Sequence, residues 1–345
     1  MMLERLLGGD YMVKKVTIND IAKLANTSKT TVSFYLNQKY DRMSLDTRRR
    51  IEKVIRETNY VPSILARSLN DKQTKLVGIL IGDITNTFSN LLVKGAESIA
   101  KKRGYQMIMG NSNYSQEDES KYIDSMLRLD VDGFIIQPTS HFRKYTSIME
   151  ENGKKLVFFD SQLYEYRNSW VKTNNYDAVY DAMQVCYEEK GYRKFLMITA
   201  DPNRLSTRIE RAQGFVDSVE DLKMPYEQLI IDDHNPSMDE MKSFLQSHTN
   251  DLTPTLVFVP NCWALPIVFT AMKELKLKIP HVGLMGFDNI EWSDFSSPTV
   301  TTIVQPAFRE GQEAMNLLID QIEGTDLTTN QRILDYQIHW KESTY

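Results

Sequence analysis

The sequence predicts an α/β protein built from two unlike parts: an N-terminal helix-turn-helix head with a hinge helix, then a larger two-lobed α/β domain with parallel sheets. Three observations predict it. Apolar residues recur at helical spacing through residues 17–59. From Lys75 onward, short runs rich in Val, Ile, Leu and Phe alternate with amphipathic stretches, the rhythm of strands and crossover helices. Charge divides at the same place: residues 12–75 hold 14 Lys and Arg against 6 Asp and Glu, a net of +8, whereas residues 76–345 carry −12 in a chain whose total is −5. A basic segment on an acidic protein suits a phosphate-rich partner and binding that depends on salt. A solvated helix face that happens to be basic would give the same count. The helical pattern separates the two readings.

Residues 1–11, MMLERLLGGDY, contain only a brief apolar stretch. Met12 offers an alternative start, which would leave 1–11 as a disordered extension. In the first helix Ile18, Ile21, Ala22, Leu24 and Ala25 recur at helical spacing, with Thr17 as N-cap and Asp20 completing an approximate capping box. Asn26-Thr27 is the turn, because Asn tolerates the left-handed conformation that a tight turn needs. Ser28 caps a second helix over Lys29–Asn37, with Val32 and Leu36 inward and Lys29, Thr30, Ser33 and Phe34 on its other faces. A third helix runs from about Ser44 to Asn59, with Ile51, Val54 and Ile55 inward and Arg48, Arg49 and Arg50 outward. In such a motif the second helix lies in the major groove with its N-terminal residues at base edges.

The run TINDIAKLANTSKTTVSFYLN, the S-x-x-T-R of Ser44–Arg48 and the NYVP of Asn59–Pro62 resemble the head of the LacI/GalR family of bacterial repressors. The resemblance implies a DNA-binding domain over 12–61. Lys29 and Thr30 would read bases, while Thr17, Ser28, Thr31, Ser33, Asn37 and Arg48 would hold phosphates and fix register. Two positions depart from the family pattern. Asn26 stands where Gly is usual, and Phe34 stands where Arg is usual. Phe34 cannot make the bidentate bond to guanine that an Arg makes, but it can press on a thymine methyl, so the operator should differ from the family's common one. Residues 62–75 would form a hinge helix and linker. Pro62 starts it well, yet about two turns are marginal alone in water. By resemblance it folds on operator DNA, with Leu69 as a minor-groove wedge, Ala66 at the helix-pair interface and Arg67 near phosphate. The alternative is a plain linker, although ILARSL is less polar than flexible linkers usually are.

Within 76–345, the apolar runs are LVGILI (76–81), YQMIMG (105–110), GFIIQP (133–138), KLVFFD (155–160), KFLMIT (194–199), QLIIDD (228–233), TLVFVP (255–260) and VGLMGFD (282–288). About 270 residues is too long for one comfortable sheet, so two lobes are expected. Ligands of open α/β sheets sit beyond the C-terminal strand ends, which places a site in the cleft between the lobes. Strand-end candidates are Asp83 with Asn86 and Phe88, Gln137 and Thr139, Asp160, Asp201, Asn261 and Asp288. The family resemblance extends here through DITNTF, STRIERAQGF and VGLMGFDN, and it implies a periplasmic-binding-protein-like domain for effector binding and dimerisation. STRIERAQGF resembles the S-x-R-x-x-G-[FW] helix start, making Arg208 the ligand clamp. Asp288 and Asn261 would bond ligand hydroxyls, with Ser89, Gln137 and Asp160 reaching from the first lobe. Trp263, in place of the usual small or amide residue, either stacks on a sugar ring or fills the cleft floor. Against these stand plainer alternatives: strand-end aspartates often cap the next helix, and a helix Arg often makes a surface ion pair of little energetic value.

The resemblance implies a sugar, sugar phosphate or purine as effector, and Arg208 could grip a carboxylate or phosphate bidentately. The stretches NYVPSILARSLN, FFDSQLYE and FVPNCWALP resemble streptococcal regulators of ketodeoxygluconate and uronate use, which points to a sugar acid. No catalytic motif is present: no G-x-S-x-G, H-E-x-x-H, Walker loop or G-x-G-x-x-G. Cys186 and Cys262 form no metal pattern, and the five histidines lack ligand spacing. No enzyme, cofactor or metal is therefore expected. A periplasmic sugar-binding protein is the rival, but it would need a signal peptide that residues 1–15 do not supply. No apolar run reaches membrane-spanning length. With so few cysteines the cytoplasm follows. The expected partners are double-stranded operator DNA, a small carbohydrate-type effector and a second copy of the chain. The expected assembly is a dimer rather than a tetramer, since the terminal QIHWKESTY has no heptad segment.

Overall fold

The computed structural model describes residues 16–61, 73–138, 142–161, 169–325 and 330–345. The extension 1–11, the hinge residues Ala66, Arg67 and Leu69, and Thr139 lie outside the described residues. Contacts divide the chain into Met1–Thr74 and Lys75–Tyr345.

In the first unit, three helices start where side chains can satisfy the exposed backbone donors of their first turns. Helix α1 is Ile18–Leu24, with Thr17 and Asp20 forming a complete capping box: the Asp20 amide donates to Thr17 Oγ1, and the Thr17 amide donates to Asp20 Oδ2 at 2.9 Å. Asn26 follows with φ 46, the left-handed turn expected of it. Helix α2 is Lys29–Leu36, capped by Ser28, which accepts from the Thr31 amide at 3.0 Å. Helix α3 is Leu45–Thr58, capped by Ser44 and ended by Asn59 at φ 46. Ile21, Ala22, Ala25, Val32 and Ile51 are buried between them, with Leu36, Val54, Ile55 and Tyr60 packed around.

The second unit contains two six-stranded sheets. The first lobe comprises β1 Leu76–Ile81, α4 Thr87–Arg103, β2 Gln106–Asn111, α5 Gln116–Arg128, β3 Gly133–Ile136, α6 Arg143–Glu151, β4 Lys155–Phe159 and β5 Ser169–Thr173. The chain then crosses to the second lobe for α7 Asn175–Glu188, β6 Lys194–Ala200, α8 Ser206–Asp221, β7 Tyr226–Ile231, α9 Met238–His248, β8 Thr255–Val259, α10 Leu265–Glu274, β9 Val282–Phe287, α11 Ile290–Phe295 and β10 Thr301–Val304. It returns with α12 Ala307–Ile322 and β11 Gln331–Leu334, and crosses a last time to β12 Gln337–His339. The sheet orders are β11-β5-β4-β3-β1-β2 and β12-β10-β9-β8-β6-β7. Every pairing is parallel except β10 with β12, an antiparallel exception to the expected pattern. Each sheet carries an apolar core on both faces, as parallel strands require.

Eight strands coincide with the eight apolar runs. The other four were not foreseen. β5 carries the polar Ser169 and Lys172, β10 is short and starts with two threonines, and β11 and β12 are edge strands with exposed residues. Within the first lobe, α12 lies unusually close to α4. A Cβ on Gly311 would stand 1.9 Å from the Leu92 carbonyl oxygen, and one on Gly95 would stand 1.9 Å from that of Phe308.

Candidate nucleic-acid interface and ligand cleft

On the head, Ser28, Lys29 and Thr30 at the N-terminus of α2 are exposed, whereas Thr31, Ser33, Phe34 and Asn37 are half-buried. Thr17 and Ser28 are both occupied as caps, and Ser28 Oγ also lies 2.8 Å from Thr31 Oγ1. The Arg48 guanidinium rests 3.8 Å over the Tyr40 ring, which meets Tyr35 edge-on. Of its neighbours on α3, Arg50 pairs with Asp46 one turn earlier, a surface contact of little energetic weight. The helix thus presents cations outward while its apolar stripe faces the head's core.

In the second unit, loops at the C-terminal ends of strands from both sheets enclose a cleft of about 800 Å³. Asp83, Thr85, Asn86 and Thr87 follow β1, and Asn113 and Tyr114 follow β2. Arg208, Asp233, His234, Cys262, Trp263 and Asn289 face them from the second lobe. Of the nine ligand residues expected from sequence, Asp83, Arg208 and Trp263 line this space. Trp263 also packs on the second-lobe core.

The remaining six lie behind the lining. Gln137, Asp160 and Asn261 are 8 %, 6 % and 7 % exposed, and they bond protein rather than open space. Gln137 accepts from the Gly82 amide at 3.1 Å and donates to Asp160 Oδ2 at 2.7 Å. Asn261 Oδ1 accepts from the Ala200 amide and from Thr199 Oγ1. Asp288 does not cap α11. It accepts from the Gln305 amide at 2.9 Å and from Gln305 Nε2 at 2.6 Å, pinning the crossover that follows β10. Phe88 belongs to the first-lobe core and Ser89 is buried beside it, because the first turn of α4 packs down on its sheet.

Arg208 donates through Nη1 to both carboxylate oxygens of Asp233, at 2.9 and 3.2 Å, and to the Asp201 carbonyl. One turn deeper on α8 is Arg211, a residue the sequence reading passed over. The pattern S-x-R falls on Arg208, but R-x-x-G falls on Arg211 and Gly214, and the chain holds both spacings at once. Arg211 is 9 % exposed. Its Nε donates to Asn175 Oδ1 at 2.8 Å, its Nη1 donates to the Pro260 carbonyl at 2.9 Å, and its guanidinium lies 3.6 Å over the Phe287 ring.

The Arg211 charge acts on the buried Asp160 and the half-buried Asp288, and a third carboxyl, the buried Glu310, adjoins Asp160. Desolvation pushes Asp160 and Asp288 above the ordinary carboxylate range, and the Arg211 charge opposes the push at both. Glu310, on the first turn of α12, is pushed furthest by its own burial, with Asp160 and Asp288 adding repulsion. It accepts from the Asp160 amide at 2.7 Å and lies 3.4 Å from Thr173 Oγ1. Lys172 of the first lobe forms a half-sealed ion pair with Glu210 of the second. Burial raises the Cys262 thiol to about 11, which makes it a poor nucleophile at neutral pH. Among the described residues no cluster of His, Cys, Asp and Glu could hold a metal ion, and no helix is long and apolar enough to cross a membrane.

A raised acid contributes stability that is complete below its unfolded value and is lost as pH rises through its folded one. Glu310→Gln keeps the shape and the acceptor for the Asp160 amide while removing that loss, and the Thr173 hydroxyl can turn to accept from the new amide nitrogen. The variant is therefore expected to be more stable than the parent near neutral pH, on the order of 1–2 kcal/mol. The gap should close toward pH ~4. Urea unfolding across that range measures it, and an equal or lower stability at neutral pH would contradict the assignment.

A capped helix-turn-helix and a two-sheet α/β body with an interlobe cleft are the parts of a ligand-responsive DNA-binding regulator. Residues 17–63 match the family model described as bacterial regulatory proteins of the lacI family, and residues 187–344 match the periplasmic binding protein-like domain. The transcriptional regulator KdgR of Bacillus subtilis is 31% identical over 89% of this chain and 91% of its own. Among solved structures, the lac repressor dimer bound to operator superposes with a TM-score of 0.80 at 21% identity, covering 96% of this chain and 99% of that one. The regulator CelR in complex with cellobiose does so at 0.68 and 21%, covering 95% and 99%. The chain belongs to the lacI family of bacterial transcriptional regulators. The match over the head decides against a sugar-binding protein without a DNA role, and neither the family nor its relatives are enzymes.

Proposed function

We propose that this protein is a cytoplasmic, dimeric repressor that reads operator DNA with α2 and releases or tightens its grip when a sugar acid enters the interlobe cleft. The observation that carries the effector's chemistry is Arg208. Arg208 lines the cleft, and among the described residues its hydrogen bonds to Asp233 and Asp201 run through Nη1; we take its Nε–Nη2 edge as the one offered to the ligand. That edge is a fork matched to a carboxylate. Asp233 holds it in place, as an orienting acid should. Hydroxyls and amides of Thr85, Asn86, Asn113 and Asn289 supply the neutral donors and acceptors a polyol needs. The complex of the CelR regulator with cellobiose supports a carbohydrate as the class of effector.

In this reading Lys29, Thr30 and Phe34 contact bases, and Thr17, Ser28, Thr31, Ser33, Asn37 and Arg48 contact phosphates. Residues 12–61 are the reader, 62–75 the hinge with Ala66, Arg67 and Leu69, and 76–345 the receptor. Gln137, Asp160, Asn261 and Asp288 support the ligand from behind the lining, with Arg211 as their counter-charge. Effector and operator then bias one lobe equilibrium, so each must change the other's affinity by the same factor. Titrating uronates, ketodeoxygluconate, sugar phosphates and purines in the presence and absence of a selected operator duplex tests this. Equal ligand affinities in both conditions would refute the coupling. Arg208→Ala is expected to lower affinity for an acidic effector about a hundredfold, the weight of a charge-assisted pair. Isothermal titration reads it, and an unchanged affinity would remove Arg208 from the site.

A further inference from the structure

One cleft residue answers to none of the sequence motifs. Between the end of β2 and the start of α5 the chain turns through Asn113 at φ 49 and Tyr114 at φ 56, two consecutive non-glycine residues in the left-handed region. Such a conformation is costly for an aromatic residue and persists only where the surroundings over-determine it. Here they do. The Ser112 amide donates to the Ile81 carbonyl at 2.9 Å, and the Ser115 amide donates to the Ser112 carbonyl at 2.8 Å. Asn111 Nδ2 donates to Asn113 Oδ1 at 2.9 Å, while Asn111 Oδ1 accepts from the Ile84 amide at 3.0 Å. Ser115 then caps α5. Both flanks of the turn are pinned, so Tyr114 cannot relax to an ordinary conformation without breaking them.

The strain delivers the ring to one place. Its phenol end packs against Gly82 just after β1, where an added Cβ would stand 2.3 Å from Cε1 and 2.5 Å from Cζ. Any residue but glycine at position 82 would expel it. A tyrosine serving only the core would be covered, yet Tyr114 remains 44% exposed and lines the cleft. Desolvation raises its phenol. The charges that bear on it come from both lobes, Asp160 and Asp83 from the first, Cys262 and Arg208 from the second. Arg208 and Trp263 line the same space from the second lobe.

We propose that Tyr114 is a specificity-determining residue, whose ring, held against Gly82 in the cleft wall, is the platform for the apolar face of a ring-closed carbohydrate. The phenol donates to a hydroxyl of the same ligand. A closed sugar ring presents a flat C–H face that an aromatic surface covers well, and an open-chain polyol does not. Tyr114 thereby selects cyclic over acyclic sugar acids. This rests on the carbohydrate-effector reading given above and adds the shape the cleft demands.

The test is calorimetric titration of the full-length protein with D-glucuronate, D-galacturonate and ketodeoxygluconate as ring-forming probes, and D-gluconate and D-galactonate as their open-chain counterparts. The parent is expected to bind a ring-forming probe more tightly than the open-chain ones. Tyr114→Phe should keep that preference with a small loss. Tyr114→Ala should lose about tenfold on the ring-forming probe and little on the open-chain ones. Gly82→Ala should reproduce Tyr114→Ala by displacing the ring, and should it fail to fold, the two Tyr114 variants decide. Equal losses on both kinds of probe in Tyr114→Ala, or no loss at all, would overturn the proposal while leaving the carbohydrate reading in place. A parent that binds none of the probes, but binds a purine or sugar phosphate, would overturn both.

Discussion

Arg211→Ala is expected to destabilise the protein by about 3–5 kcal/mol, the usual consequence of removing one partner of a buried charge network. Arg211 is the counter-charge felt by both Asp160 and Asp288, and it also holds Asn175, the first residue of α7 beyond the crossover from the first lobe. Its loss leaves desolvated carboxylates without a cation, and each must then take up a proton to remain buried. That uptake gives the deficit a pH signature. Acids raised further above their unfolded values are less costly when protonated, so the variant should lose most at pH ~7–8 and least near pH ~4–5. Denaturant unfolding at both ends reads this directly. A deficit below about 1 kcal/mol, or one independent of pH, would show that the aspartates find compensation elsewhere. Arg211→Lys should fall between, because an ammonium keeps the charge but cannot lie flat on Phe287 while donating to Asn175 and Pro260.

Gly311→Ala is the second large effect. Helix propensity alone favours alanine by about 1 kcal/mol, so a site governed by propensity would gain stability. Here the added carbon would meet the Leu92 carbonyl oxygen at 1.9 Å and the Ala96 amide nitrogen at 2.9 Å. Both obstacles are backbone, and no rotamer change clears them. Forcing α4 and α12 apart disrupts the first-lobe core along Leu92, Ala96, Ala314 and Met315. The net expectation is a loss of about 2 kcal/mol or more, with the overpacking term exceeding the propensity gain. A thermal scan distinguishes the outcomes by sign. Because Glu310 precedes Gly311, a shift of α12 should also disturb the contacts of Glu310 with Asp160 and Thr173.

Much of the architecture was legible where chemistry is local. Thr17, Ser28 and Ser44 cap the three head helices, and Asn26 takes the left-handed turn, because capping and turn preferences act over three or four residues. Strands buried on both faces announce themselves as continuous apolar runs. β10, β11 and β12 do not, since their place is set by neighbours far away in sequence. The cleft was legible as a set of strand ends but not in depth. Strand-end position says that Gln137, Asp160, Asn261 and Asp288 are near the ligand space, yet which of them face it depends on side-chain packing between lobes. The choice between Arg208 and Arg211 is of the same kind: one helical turn separates a cleft-edge cation from a buried one. Tyr114 was missed because its importance comes from a backbone conformation and from the missing side chain of Gly82, neither of which has a periodic signature.

The route of the chain has a consequence for how the molecule is made. The first sheet ends at β11 and the second at β12, so both receive their last strand from the final fifteen residues, 331–345. Neither half is a contiguous stretch that a ribosome could complete and release early. An unfinished polypeptide would carry an intact reader before it owned a finished receptor, and loss of residues 331–339 would strip an edge from both halves at once.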